Sequence, residues 1–211
     1  LMKKPLTVTI ALICTLILSG CSASTSAKKP TRNHYDRQRT AAELKHDRIV
    51  EGINLENFDK INVGDITDGT NGSSDQQVRQ LFGNPSHIGT VSVNGISQKV
   101  TQFTWKDVSS TFHVDKVTVQ FLNHKVVGKS YSPAAKQKQR VIAKSKIDQL
   151  GLGTTYQETV NALGVPNGES FTGQGPLSSK YLLYVTDSDG TAYDLTFTDD
   201  KLNNKFKTSI Y

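Results

Sequence analysis

The chain has 211 residues, of which 36% are hydrophobic and 21% charged, and its 25 basic against 19 acidic residues give a formal net charge of +6. That composition excludes a polytopic membrane protein, a collagen-like chain and a wholly disordered one. The basic excess is small and spread along the chain, so nucleic acid is not an expected partner. Both cysteines, Cys14 and Cys21, lie near the N-terminus, so the body of the chain has no means of building a disulfide or a cysteine metal site.

Lys3 and Lys4 form a basic start, followed by an almost wholly apolar run from Leu6 to Leu18. A membrane span needs roughly 20 residues, and this run has the length of a signal-peptide core instead. It closes on Leu18-Ser19-Gly20-Cys21, which resembles the bacterial lipobox. The resemblance implies that residues 1–20 are a signal peptide, and that the Cys21 thiol receives a diacylglycerol and becomes the first residue of the mature chain. The alternative is a short N-terminal anchor helix with an unmodified cysteine. The expected location is the cell membrane, lipid-anchored on its extracytoplasmic face, on a Gram-positive cell surface. Residues 21–57 read as a disordered tether, small and polar at first and then charged. Within it, Thr40-Ala-Ala-Glu43 has capping-box spacing and allows a short helix over residues 41–50.

The remainder contains an internal repeat. Phe58-Asp-Lys-Ile61-Asn-Val63-Gly64 matches Ile147-Asp-Gln-Leu150-Gly-Leu152-Gly153 in its order of apolar, acidic and glycine positions. Ser74 to Pro85 then matches Thr155 to Pro166. Each reads as a helix of about two turns, with a hydroxyl cap before it, Gly after it and Pro blocking its continuation. Two strand candidates follow in each copy, residues 87–93 and 96–105 around Asn94-Gly95, and residues 170–171 and 181–185 around a longer Gly-Pro loop. A closing hairpin ends each copy. Val117, Val119 and Phe121 share one face, as do Tyr193, Leu195 and Phe197, and the turns are Asn123-His124 and Asp199-Asp200. The fold class is therefore α+β: two tandem modules, 58–131 and 147–211, each a short helical layer on a roughly four-stranded antiparallel sheet. Residues 132–146 carry five basic residues and no acid, and read as a solvated linker.

The order Phe58 to Gly64, Gln77-Val78 to Gly83-Asn-Pro85, Ile147 to Gly153-Thr-Thr155 and Gly164-Val-Pro166, repeated in tandem, resembles the modules of the β-lactamase inhibitor protein-like fold. The helical half is also similar to that of small outer-membrane assembly lipoproteins. The resemblance implies binding to an enzyme through a concave sheet face, with a hairpin loop of the first module inserted. The corresponding loop is Lys106–Thr111, which places Asp107 as a candidate inserted acid. The chain lacks the cysteines that staple each module in the secreted inhibitor.

No catalytic set emerges from the residues. The five histidines include no zinc-protease pair, and no nucleophile elbow or phosphate-binding loop occurs. Asp187-Ser-Asp189-Gly190 has its glycine too early for a calcium loop, and position twelve from Asp187 is Thr198, so it reads as a hairpin turn. Asp65, Asp68 and Asp75 around Asn71-Gly72 read as a solvated loop. Neither a cofactor nor a metal is expected. Each module should keep one sheet face free of helices, and aromatic residues there would anchor a partner. The candidates are Trp105, Phe112, Tyr131 and Tyr181, together with Asp107. The expected function is that of a surface-tethered binding module engaging another envelope or extracellular protein. An envelope-assembly or structural lipoprotein is the alternative, ahead of an unrecognised hydrolase.

Overall fold

The computed structural model describes residues 53–211, apart from residues 94, 95, 97, 107 and 109–111. The signal peptide, Cys21, the tether up to residue 52 and Asp107 lie outside the described residues.

Asn54 caps a first short helix, α1 (Leu55–Asp59), by accepting from the Asn57 N–H at 2.9 Å. Ser74 caps α2 (Asp75–Phe82). Its hydroxyl accepts from the Gln77 N–H, and the Gln77 side chain accepts in return from the Ser74 N–H. Four strands follow: β1 (His87–Val91), β2 (Val100–Trp105), β3 (Val114–Leu122) and β4 (Lys125–Pro133). The same order then returns. A short α3 (Lys144–Asp148) precedes α4 (Tyr156–Leu163), which Thr155 and Glu158 cap by the same reciprocal box. Then come β5 (Gly168–Thr172), β6 (Ser179–Val185), β7 (Thr191–Thr198) and β8 (Lys201–Ser209), with a 3₁₀ turn at Gly175–Leu177. Gly83 and Gly164 end α2 and α4 with φ of 71° and 79°, which a side chain would resist. Asn123-His124 and Asp199-Asp200 all have positive φ, as two-residue turns between twisted strands require.

All eight strands form one sheet in the order β1 to β8, each antiparallel to the next. This corrects the expectation of two separate four-stranded sheets. β4 and β5 pair from Gly128 opposite Thr172 to Tyr131 opposite Glu169 and so fuse the halves. The physical reason is edge satisfaction: two separate sheets would leave the facing sides of β4 and β5 with unpaired backbone groups. The architecture is α+β and dominated by the sheet.

The first hairpin is shorter than the sequence predicts. Strand pairing stops at Val91 opposite Val100. Val91, Val93 and Ile96 instead pack with Val100, Leu122 and Val127 in a small satellite cluster. Burial of these side chains outweighs two more rungs of ladder. At the other boundaries, Ile53 is buried, and so is Ile142 within the basic segment. The Ile142 N–H donates to Val185 O at 3.0 Å, and the Arg140 guanidinium donates to Leu163 O and Val165 O, carbonyls at and just beyond the end of α4. The basic linker is thus docked rather than solvated throughout.

Candidate binding face

Residues directly opposite in an antiparallel pair lie on the same face, and neighbours along a strand alternate. The helices cover the face carrying Phe103, Val119, Phe121, Leu182, Leu195 and Phe197, all buried. On the other face two rows cross the sheet. One runs His87, Thr104, Thr118, Ser130, Ser170, Tyr181, Thr196 and Asn204, from β1 to β8. The next runs Gly89, Gln102, Gln120, Gly128, Thr172, Ser179, Thr198 and Lys201.

The first row contains no acidic, lysine or arginine side chain, and the second has one, Lys201 at its β8 end. In a chain that is 21% charged, a row of hydroxyls and amides crossing the sheet in this way is a distinct feature. Its members bond to one another: the Thr118 and Ser130 hydroxyls are 2.5 Å apart, and Gln120 Nε2 donates to Gln102 Oε1 at 3.3 Å. Gly128 makes the room, because a Cβ there would sit 2.7 Å from Gln120 Oε1. Charge returns one step along, at Lys116 and Asp194. Asp194 stands opposite Phe206, which is 49% exposed, and burial raises its carboxyl pKa.

Of the aromatic anchors expected from sequence, Tyr181 lies in this stripe, half-buried between Ser170 and Thr196. The others do not. Trp105 faces the helices and is 2% exposed, its Nε1 donating to Gly83 O at 3.3 Å. Tyr131 is buried, and its hydroxyl donates to Pro166 O. Phe112 packs on Tyr131 and Phe58 with ring centroids 4.8 and 6.4 Å away. The parity of β2 and β4 decides this, since Trp105 and Tyr131 share a face with Val117, under the helices. The stripe's hydroxyls and amides leave one signal in the sequence, occupying every second position of Val117-Thr-Val119-Gln-Phe121. The Asp65 and Asp68 carboxylates each accept from the N–H two residues on, Thr67 and Thr70, both at 2.7 Å, so they shape their own loop.

Beneath the stripe, where β4 meets β5, the helix-facing side carries an unusual set. Lys129 stands opposite Phe171, and Tyr131 opposite Glu169. Lys129 is 6% exposed. Its Nζ donates to Phe58 O at 2.9 Å and lies over the Phe58 ring, 4.4 Å from the centroid. Glu169 is 5% exposed. Tyr156 reaches one of its oxygens at a long 3.5 Å, and the other, Oε1, has no hydrogen-bond partner among the described residues. Burial pushes the Glu169 carboxyl up to about 7, against the pull of Lys129. Burial also lowers the Lys129 ammonium pKa, while Glu169 and Asp59 act to raise it. Among the described residues no group of three or more His, Cys, Asp or Glu is placed to hold a metal ion. No described helix is long and apolar enough to cross a membrane.

The DUF3862 family, described as a domain of unknown function with a solved structure, matches residues 51–210. No curated protein matches the sequence. Among solved structures, the fold is similar to that of a Streptococcus mutans protein described as a "putative beta-lactamase inhibitor protein". The TM-score is 0.56 at 21% identity, over 82% of this chain and 100% of that one.

Proposed function

We propose that the chain, which belongs to the DUF3862 family, is a binding module that engages another extracytoplasmic protein through the hydroxyl- and amide-rich stripe on the open face of its sheet. The observation that carries this reading is the row of hydroxyl and amide side chains between His87 and Asn204 on the face opposite the helices, at least partly exposed at every position but the buried Thr104. A stripe crossing eight strands is roughly 34 Å long at the usual strand spacing. That is enough to support an interface of ordinary size. The S. mutans protein of similar fold carries an inhibitor's description, which supports a protein-binding reading. The halves, each a helical pair followed by four strands, read as two copies of one module whose sheets have merged.

The tether completes the proposal. A diacylglycerol on Cys21 would hold the module at the outer face of the cell membrane, with residues 21–52 as spacer. The test is crosslinking in cells with the wild type, with Ser170→Arg at the centre of the stripe, and with Gln76→Arg on the exposed side of α2. A partner crosslinked by the wild type and by Gln76→Arg, and lost with Ser170→Arg at unchanged melting temperature, supports the reading. Equal crosslinking by all three defeats it.

A further inference from the structure

The ladder between β4 and β5 is the shortest in the sheet, running only from Gly128–Thr172 to Tyr131–Glu169. No disulfide can reinforce it, because both cysteines lie within the first 21 residues. What fills its helix-facing side is not ordinary core. Lys129 reaches from β4 to the end of α1, and its ammonium also lies 5.5 Å from the Phe171 ring on β5. Glu169 is buried beside it, with Oε1 unpartnered among the described residues. A buried carboxylate oxygen without a donor is costly, whereas a neutral carboxyl tolerates the same place. Lys129 gives its hydrogen bond to the Phe58 carbonyl and so answers the Glu169 charge only through space.

We propose that this seam is a proton-responsive joint: Glu169 takes up a proton from solvent as β4 and β5 close over it, and releases it as they part. Mild acid therefore tightens the pairing of the two halves. The charged and titratable groups around Glu169 are Lys129 and Tyr131 on β4, Asp59 at the end of α1, Tyr156 on α4, and Lys180 and Tyr184 on β6. Lys129 and Lys180 favour the carboxylate, while Asp59 and the desolvation of the site favour the neutral acid.

The sign follows from linkage. The closed-state pKa lies above that of the solvated carboxyl, 4.5, and reaches about 7. The closed form thus holds the extra proton between those values, and the stabilisation it confers is full below 4.5 and lost as pH rises toward 7. The test uses amide hydrogen exchange of β4 and β5, corrected for intrinsic rate, in the wild type and in Glu169→Gln. From pH 5 to pH 7.5 the wild type should lose protection by about tenfold or more relative to Glu169→Gln. Side-chain carbon NMR of the wild type keeps the proposal falsifiable if the variant folds poorly. A Glu169 carboxyl titrating above pH 6 agrees with the proposal. In Lys129→Met the same carboxyl should titrate at still higher pH, since a favouring cation is gone. A Glu169 carboxyl that titrates near 4.5 in the folded wild type, or an equal change of protection with pH in both proteins, overturns it.

Discussion

The Trp105 indole stands edge-on to Phe82 with ring centroids 5.2 Å apart, and its Nε1–H donates to the carbonyl of Gly83, where α2 ends. One side chain therefore ties β2 to the exit of the helix that covers it. Trp105→Ala should destabilise the protein by about 3–5 kcal/mol, as for a core aromatic. Trp105→Phe keeps most of the packing but leaves Gly83 O without its donor, and should cost less, about 1–3 kcal/mol. Urea unfolding of both variants checks the order. A melting temperature unchanged in Trp105→Ala would be incompatible with this packing.

The helix caps offer a second measurement. Thr155→Ala removes a hydroxyl that accepts from the Glu158 N–H at 3.2 Å. Loss of such a cap costs about 1 kcal/mol. Ser74→Ala removes the matching cap of α2 and should cost about as much. Because the two caps lie far apart along the chain and share no bonding partner, the double variant should show nearly the sum of the two losses.

Gly128→Ala tests the construction of the stripe. The added Cβ would fall 2.7 Å from Gln120 Oε1 and 3.2 Å from Phe171 O. The Gln120 side chain can rotate away, but the backbone of β5 cannot without loosening the seam. We expect a loss of about 1–3 kcal/mol, the usual range for overpacking. Combining the substitution with Gln120→Ala should recover only part of it.

The anchor is tested by Cys21→Ser. With the lipid site gone, the protein should lose the added lipid mass and its detergent-dependent membrane retention. Fractionation with intact-mass analysis reads both. A wild type that carries no lipid yet stays in the membrane would refute anchoring at Cys21.

Much of the fold is local enough to be legible in sequence. Ser74 and Thr155 announce their helices because a hydroxyl, an amide or acid three residues on, and a closing glycine act within one or two turns of chain. Asn123-His124 and Asp199-Asp200 announce their hairpins for the same reason. The alternation of Val117, Val119 and Phe121 with Thr118 and Gln120 was equally plain, and it divides the sheet into a covered and an open face.

Which aromatic belongs to which face was a matter of register, and register is a relation between strands. Trp105 and Tyr131 became core when β2, β3 and β4 aligned them with Val117 beneath the helices, and Tyr181 joined the open stripe when β6 aligned it with Ser170 and Thr196. The seam needed the tertiary structure in the same way. Lys129 and Glu169 are 40 positions apart in a chain where each, taken alone, reads as an ordinary surface charge. Only the pairing of β4 with β5 brings them together out of water, because the hydrogen-bonding demand of two strand edges is met by each other and by nothing encoded nearby. The sequence by itself thus determined the elements and their repetition, through interactions a few residues long. The tertiary structure decided which residues face a partner and which share the buried seam, because burial is set by neighbours that the chain must travel to meet.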